Sequence, residues 1–301
     1  MELEKRLNEF VDYHINGDGE CNGIVLKEWA NLHSLSSEER IDLAYMFSVT
    51  YCVVSAIKLF FDRNLICENV DQYVYKNKGK LIFQSDRKYV KMKDTFNKCM
   101  SFYRDHVREI RNISREKIID LNKWIPVIES HPYFGRFSAY LYLETVAWLT
   151  GTKIINAEMD WENGATATSG LLNLYCYDKY ADLFDKERKL RSPFNHDEME
   201  KMVEPVLFEI HSRGGNSNIT MVETSLCAYR KFFKGSRYNG YYLDRMLEEI
   251  VAMKDNFPDI CNELTEIRKK CFAAKYLGEI GGWNGIRKEC KKLYKEHGIM
   301  M

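Results

Sequence analysis

The 301-residue sequence contains little proline, no long apolar run and none of the common metal or nucleotide motifs. Five prolines are too few for a linker-rich or collagen-like chain. The most apolar stretch, residues 47–57, stops at Lys58 and is too short to span a bilayer. Because no apolar segment follows a basic N-terminal region, we expect no secretory signal. The sequence therefore predicts a soluble cytoplasmic protein without a membrane partner.

The nine cysteines show no metal-binding pattern. No CxxC or HxxxH pair occurs, so we expect no structural zinc site, and we expect neither a metal nor a cofactor. The odd number of cysteines, most of them among apolar residues, is typical of buried thiols in a reducing compartment. The motifs GxxxxGK[ST], GxGxxG, GxSxG and HExxH are also absent, which argues against P-loop kinases, dinucleotide-binding folds and the usual hydrolases.

Charge is balanced over the chain but unevenly distributed along it. The sequence has 44 basic and 44 acidic residues, yet residues 87–123 carry 11 basic and 5 acidic groups. Residues 230–301 form a second basic block, with 15 basic and 10 acidic groups. Two basic blocks could hold one polyanionic partner if folding brings them together. The alternative is that both are ordinary solvated helix faces.

Apolar residues recur mostly with helical spacing, which predicts an all-α fold. Ser36 and Glu39 form a capping box that opens a long helix reaching about Asp62. Residues 73–83 are the exception, since two apolar triplets flank a Lys/Asn/Gly turn and predict a small β-hairpin. The sequence predicts one helical domain over 1–301, or two lobes of about 1–130 and 131–301. Further helices are predicted at about 86–111, 114–131, 135–149, 168–178, 196–211, 220–234, 241–255, 259–275 and 283–297, with a Thr220/Glu223 capping box.

Three polar residues share one face of the apolar helix predicted at 135–149. Arg136, Tyr140 and Glu144 are spaced four residues apart, which places them on one side of a helix. A helix that is apolar nearly all round is expected to be buried, where a charge must be paired or used. An arginine at a helix start also lies near backbone amides that favour anions. We interpret this face as a pocket wall with an anion-binding arginine; the alternative is a structural ion pair.

A second cluster interleaves basic and aromatic residues within 220–245. Such interleaving suits stacking on bases and pairing with phosphates. The alternative is a tyrosine-rich helix junction with exposed arginines. The cluster's candidates are Lys231, Arg237, Tyr238, Tyr241, Asp244 and Arg245. In a separate glycine-bounded loop, Asp160 beside Trp161 is a candidate general base or, alternatively, a helix cap.

Three blocks of the sequence resemble one enzyme family. They are residues 132–144 (PYFGRFSAYLYLE), 223–231 (ETSLCAYRK) and 237–245 (RYNGYYLDR). These blocks resemble the phage amino acid:DNA transferases, also described as α-glutamyl/putrescinyl-thymine pyrophosphorylases. Trp29 with residues 33–36, and residues 51–60, are similar to the helical region that this family shares with hydroxymethyluracil DNA kinases. One departure is that no LPGVG hairpin occurs; GEIGGW stands late in the chain instead.

The resemblance implies a DNA-glycosylase-like helical fold and DNA base hypermodification in the host cytoplasm of a phage. The implied transferase displaces pyrophosphate from pyrophosphorylated 5-hydroxymethyluracil in double-stranded DNA with the amine of an amino acid or polyamine. A hydroxymethyluracil DNA kinase is the implied further partner. The absent P-loop fits the transferase better than the kinase. Two alternatives stay open: a glycosylase-like base-excision enzyme, and a non-catalytic helical DNA-binding partner of the kinase.

The resemblance also implies roles for the candidate residues. An extruded thymine would stack on tyrosine, arginines would neutralise the departing pyrophosphate, and a carboxylate would take the amine's proton. The expected catalytic residues are Arg136, Glu144, Asp160 and Asp244. The expected substrate contacts are Tyr140, Lys231, Arg237, Tyr238, Tyr241 and Arg245. The expected DNA-backbone contacts are Arg104, Arg108, Arg111 and Arg115.

Overall fold

A computed structural model describes residues 2–15, 21–77, 79–83, 94–155, 159, 161, 165–176, 194–233, 241–272 and 277. The predicted all-α fold is confirmed over these residues. No helix among them is both long and apolar enough to cross a bilayer. The helices are α1 (Glu2–Ile15), α2 (Cys21–Leu32), α3 (Ser37–Thr50), α4 (Val53–Phe61), α5 (Arg63–Glu68), α6 (Val70–Asn77), α7 (Asp94–Arg111), α8 (Leu121–Glu129), α9 (Arg136–Thr150), α10 (Ala165–Cys176), α11 (His196–Ser212), α12 (Ile219–Phe233), α13 (Tyr241–Met253) and α14 (Pro258–Cys271).

Two short strands accompany the helices in the described part of the chain. Strand β1 (Ile118–Asp120) pairs in parallel with β2 (Lys153–Ile155), with Ile119 opposite Ile154. A 3-10 turn, Asn112–Arg115, connects α7 to β1. This small sheet joins the segments that precede α8 and follow α9, and it leaves the helical character of the fold unchanged.

The chain divides into two compact units, each built from separate stretches. The first unit contains residues 1–21, 157–244 and 272–301, and the second contains 22–156 and 245–271. The lobe boundary expected near residue 130 lies inside the second unit.

Close backbone approach holds the first unit together. Helices α10 and α12 pack against each other at Gly170, where an added Cβ would lie 2.1 Å from the Leu226 carbonyl oxygen. Only glycine fits there, because any side chain would force the two backbones apart. His14 of α1 is fully buried and binds the Ser225 hydroxyl at 2.7 Å and the Asn216 carbonyl at 2.8 Å. These bonds connect α1 to α12 and to the turn before it.

Aromatic packing around α3 builds the second unit. Residues 41–50 of α3 are all buried, and α4 and α9 pack against this helix. The Tyr45 ring stacks on Phe134 with centroids 5.3 Å apart and lies 5.2 Å from Tyr103. The Tyr45 hydroxyl donates to the Cys99 carbonyl at 3.2 Å, so its polar group is satisfied within the core.

The predicted β-hairpin at 73–83 is wrong. Residues Val70–Asn77 form helix α6, and residues 79–83 form a turn followed by irregular chain. A strand would direct Tyr73 and Tyr75 to the same face, but Tyr73 is 6% exposed and Tyr75 is 83% exposed. Val70 and Tyr73 are buried at helical i, i+3 spacing, and the Tyr73 hydroxyl donates to Asp62 at 2.7 Å.

The long helix predicted from Ser36 to Asp62 is divided in two. The Ser36/Glu39 capping box is confirmed at its start. The helix ends before Tyr51, which adopts a left-handed conformation with φ of 52°, and α4 begins at Val53. The Thr50 hydroxyl helps to end α3, because it accepts a hydrogen bond from the Cys52 backbone N–H at 3.4 Å.

Two other helix starts differ from their predictions. The helix predicted from Ser114 begins instead at Leu121, after β1, and Asp120 caps it by accepting a bond from the Asn122 N–H. The Thr220/Glu223 capping box is wrong, because the Asn218 side chain accepts the bond from the Thr220 N–H at 3.1 Å. The predicted helix at 283–297 and the start of the one at 86–111 lie outside the described residues.

Candidate nucleic-acid interface

Arg136 and Tyr140 lie together at the start of α9, in the second unit. The Arg136 Nη2 donates to the Tyr140 hydroxyl at 3.3 Å, and its guanidinium carbon lies 5.5 Å from the centre of the Tyr140 ring. Arg136 is exposed and Tyr140 is half-buried. Gly135, the N-cap, makes no side-chain cap bond, and space around it is open. Arg136 and Tyr140 thus lie on one face of α9, as their i, i+4 spacing predicts.

The prediction that α9 is buried all round is wrong. One face packs into the core through residues such as Ala139, Tyr142 and Leu143, while the side that carries Arg136 faces outward. Phe137 on this outward side is 46% exposed. Apolar composition alone overestimates burial because aromatic side chains also occur on protein surfaces. Arg136 is therefore a surface cation rather than a buried charge.

A second cation and tyrosine adjoin this helix start. The Lys98 Nζ of α7 donates to the Tyr133 hydroxyl at 3.3 Å and lies 5.7 Å from the centre of that ring. Tyr133 is 46% exposed and has a positive φ of 63°, an uncommon conformation for a side chain of this size. We call Lys98, Tyr133, Arg136, Phe137 and Tyr140 the basic–aromatic surface.

Uncharged, buried side chains support the loop at residues 131–135, which precedes α9. His131 is 6% exposed, with its ring 4.6 Å from Phe102 and 5.6 Å from Phe134. Burial lowers the pKa of His131 to about 4, so its imidazole is neutral at pH 7. The Cys99 thiol donates to the Pro132 carbonyl at 3.2 Å. The loop is therefore fixed by aromatic packing, and the cations lie on its outer side.

The four arginines expected on the DNA backbone lie in different environments. Arg108 and Arg115 are exposed, and Arg104 is exposed beside Asp105, with Nε 2.7 Å from the carboxylate. Arg111 is different, because its Nε donates at 2.9 Å to Asp42, a carboxylate with no exposed surface. Three of the four side chains are thus placed on the surface of α7 and the 3-10 turn.

Arg111 forms an internal ion pair, which argues against its predicted role as a DNA contact. Its second guanidinium nitrogen also donates to Asp42, so the pair is bidentate. The hydrogen bond to Asp42 raises the pKa of Arg111. Arg63 lies 3.7 Å from the same carboxylate. A buried carboxylate requires such partners, and if Arg111 turned to a phosphate, Asp42 would lose its bidentate partner.

The other candidates are distributed over both units. Glu144 is half-buried on the outward side of α9. Asp244 is fully buried in the first unit, and Arg245 is half-buried with Nε 3.9 Å from Glu248. Lys231 and Tyr241 lie on α12 and α13, but their side chains are outside the described set. Asp160, Arg237 and Tyr238 lie outside the described residues.

Sequence reasoning missed the contribution of Lys98 and Tyr133. Tyr133 lies in the 132–144 block, three residues before Arg136. Lys98 belongs to the first basic block, residues 87–123. Their contact joins residues 35 positions apart, which no local pattern indicates. Among the described residues, no group of three or more His, Cys, Asp or Glu side chains is placed to hold a metal ion.

Comparison with known proteins adds no relative. No family model, curated protein or solved structure matches the chain. The resemblance to the amino acid:DNA transferases therefore stays a prediction from the three sequence blocks.

Proposed function

We propose that this protein modifies bases in DNA by transferring an amine onto pyrophosphorylated 5-hydroxymethyluracil, and that the basic–aromatic surface contacts the DNA. The observation that carries the proposal is the exposed alternation of cations with aromatic rings. Arg136 lies against Tyr140 and Lys98 lies against Tyr133. Aromatic rings that stack on bases, next to cations that bind phosphates, are the elements of single-stranded and extruded-base recognition.

The proposed reaction requires positioning more than covalent catalysis. The amine nitrogen forms a bond to the C5 methylene carbon while the bond from that carbon to the pyrophosphate oxygen breaks. The electron pair leaves with pyrophosphate, and the amine loses a proton to a carboxylate. In this proposal Arg136 stabilises the departing charge, and the neighbouring Tyr140 ring stacks on the base.

On this face the proposal takes Glu144 as the proton acceptor, with Asp160 and Asp244 as the other candidates. Residues four apart on a helix are separated by about 6 Å along its axis, so Glu144 lies about 6 Å beyond Tyr140 and about 12 Å beyond Arg136. A base stacked on Tyr140 would thus have the arginine at one end and the carboxylate at the other. This order separates the leaving group from the incoming amine, as an in-line displacement requires.

Nucleoside mass spectrometry tests the proposal. Hydroxymethyluracil DNA treated with the kinase is incubated with the full-length protein and a mixture of amines, then digested to nucleosides. We expect an amine-adduct nucleoside and release of pyrophosphate. Arg136→Ala is expected to abolish the adduct while circular dichroism shows the fold intact, and Lys201→Ala, a change of an exposed cation on α11 with no proposed role, serves as the control. Wild-type activity in Arg136→Ala would remove this residue from the site.

A non-catalytic DNA-binding role is the second candidate. Arg136 and Phe137 lie open on a helix surface, which suits binding to an extended strand as well as to an extruded base. This role predicts DNA binding by the same surface with no change of mass in the nucleoside pool. Release of a free base would instead identify a base-excising enzyme.

A further inference from the structure

The loop before α9 is attached to α7 at two consecutive residues. The Cys99 thiol donates to the Pro132 carbonyl at 3.2 Å. The Lys98 Nζ donates to the Tyr133 hydroxyl at 3.3 Å. Tyr133 is 46% exposed and belongs to the basic–aromatic surface. The position of this ring therefore depends on how the loop is held against α7.

Tyr133 is the third residue of a turn that the rest of the loop must hold in place. The turn is closed by a hydrogen bond from the Phe134 N–H to the His131 carbonyl at 3.0 Å. The φ of Tyr133, 63°, is a left-handed conformation that glycine or asparagine usually supplies at this position of a turn. A residue with a large side chain keeps such a conformation only where the surrounding structure determines it. The residues at both ends of the turn are therefore expected to be fixed.

Both ends of this turn are buried aromatic side chains. His131 is 6% exposed and Phe134 is 2% exposed. The His131 ring lies 4.6 Å from that of Phe102 in α7 and 6.0 Å from that of Tyr45 in α3. Tyr45 also stacks on Phe134, with ring centroids 5.3 Å apart. The turn is thus anchored on a cluster of rings that α3 and α7 contribute.

Hydrogen bonding by the Nδ1 atom of His131 does not explain why this side chain is buried. In the described part of the chain, this nitrogen is buried and has no hydrogen-bond partner. An unpaired polar atom in the interior lowers stability relative to an apolar group of the same shape. The contribution of His131 to the turn therefore comes from the packing of its ring.

We propose that His131 is a positioning residue: its ring, packed on the neighbouring aromatic rings, holds the turn that presents Tyr133 to a base of single-stranded DNA. This inference rests on the proposed function, because it gives Tyr133 a base to stack on. Lys98 and Arg136 belong to helices α7 and α9, so contacts between these cations and phosphates should not depend on the turn. Loss of the His131 ring should therefore reduce stacking and leave phosphate binding intact.

The binding of two oligonucleotides to the full-length protein tests the proposal. One is a short thymine single strand, and the other has the same backbone with abasic sites, which keep the phosphates but offer no ring. His131→Ala is expected to weaken binding of the thymine strand about tenfold, as the loss of one base–aromatic stack does, and to leave binding of the abasic strand unchanged. His131→Phe restores a ring without Nδ1 and should bind the thymine strand like the wild type. Equal losses on both strands, or no rescue by His131→Phe, would overturn the proposal.

Ile267→Ala is the matched control for a general loss of stability. Ile267 is 5% exposed in α14, a helix that packs on α4. This variant loses buried side-chain volume, as His131→Ala does, and should unfold at a lower urea concentration. Its affinities for both strands should equal those of the wild type. If it weakens binding of the thymine strand as much as His131→Ala does, the effect is one of general stability and the proposal is wrong.

Hydrogen exchange without DNA separates this inference from the proposed function. In the wild type, residues 128–135 should be protected, because the His131 and Phe134 N–H groups are bonded within the loop. His131→Ala should accelerate exchange of this peptide and leave that of α14 unchanged. If the wild type binds neither strand, the proposed function fails. If the wild type binds the thymine strand but residues 128–135 exchange without protection, or exchange equally in His131→Ala, the His131 ring does not hold the turn and this proposal fails.

Discussion

Two helices of the second unit place an arginine in opposite environments. At the end of α7, Arg111 turns inward to a carboxylate with no exposed surface. At the start of α9, Arg136 lies outside, against the Tyr140 ring. The end of α7 belongs to the strongly basic stretch of the sequence, whereas Arg136 stands in a stretch with few charges. The number of basic residues in a stretch therefore does not measure the positive charge that it offers to a partner.

The difference arises from what each helix packs against. Helix α7 contacts α3, whose buried Asp42 requires a cation, and the Tyr103 hydroxyl also bonds to this carboxylate. Burial, together with Asp42, raises the pKa of Tyr103 and keeps it neutral. At the start of α9 the loop is fixed by the buried rings of His131 and Phe134, and Arg136 contacts Tyr140. The buried carboxylate under α7 thus explains why Arg111 is turned inward, whereas Arg136 is exposed.

The largest effect is expected from Arg111→Ala. Removing one partner of a buried ion pair costs about 3–5 kcal/mol when the other charge is left uncompensated. Because Arg63 and the Tyr103 hydroxyl stay beside Asp42, we expect the free energy of unfolding to fall by about 3 kcal/mol, the lower end of that range. Urea unfolding measures the loss. Arg108→Ala, an exposed arginine of the same helix, should change stability by no more than about 0.5 kcal/mol.

The comparison would fail if Arg111→Ala were as stable as the wild type and lost DNA affinity. That result would make Arg111 a DNA contact and Asp42 a residue that tolerates an empty partner position.

A smaller loss is expected from Tyr140→Ala in DNA binding. Stacking of a base on an aromatic ring contributes about 1–3 kcal/mol by alanine substitution, so affinity for a short single strand should fall by that amount. Tyr140→Phe keeps the ring and loses only the hydroxyl that Arg136 contacts, so most of the affinity should remain. Fluorescence anisotropy measures both. Equal losses in the two variants would show that the hydroxyl, not the ring, matters.

The smallest effect concerns salt. Each phosphate neutralised by a cation contributes about 0.7–0.9 to the slope of log affinity against log salt concentration. Arg136→Ala should therefore lower the magnitude of this slope by about 1. For the Arg111→Ala protein that remains folded, the slope of DNA affinity against salt should equal that of the wild type. Anisotropy titrations over a range of salt concentrations measure it. An unchanged slope in Arg136→Ala would show that this residue does not contact a DNA phosphate.

The fold could be predicted from the sequence wherever local signals agreed. Helix α9 was expected at 135–149 and lies at Arg136–Thr150, and α11 was expected at 196–211 and lies at His196–Ser212. Both have an N-cap position that the local sequence supports, Gly135 and Asn195. The hairpin prediction failed because a short apolar stretch such as residues 73–75 fits either a strand or a helix. The burial of Tyr73 and the exposure of Tyr75, which depend on tertiary packing, show that the segment is a helix.

The candidate site was only partly predictable, because spacing reports on neighbours along one helix. Arg136 and Tyr140 were found from their i, i+4 spacing. The internal pairing of Arg111 was not predicted, because its partner Asp42 is 69 residues away. Lys98 and Tyr133 were missed for the same reason. Charge pairing between distant segments is a property of the fold and leaves no trace in a single sequence.

Photo-cross-linking tests the central claim most directly. A single-stranded DNA with 5-iodouracil in place of thymine is bound to the full-length protein, irradiated, and the cross-linked peptide is identified by mass spectrometry. The account predicts a cross-link within residues 133–140, at Tyr133, Phe137 or Tyr140, which is lost in Tyr140→Ala or reduced in Arg136→Ala. Efficient cross-links confined to other segments, with residues 133–140 unmodified, would contradict it.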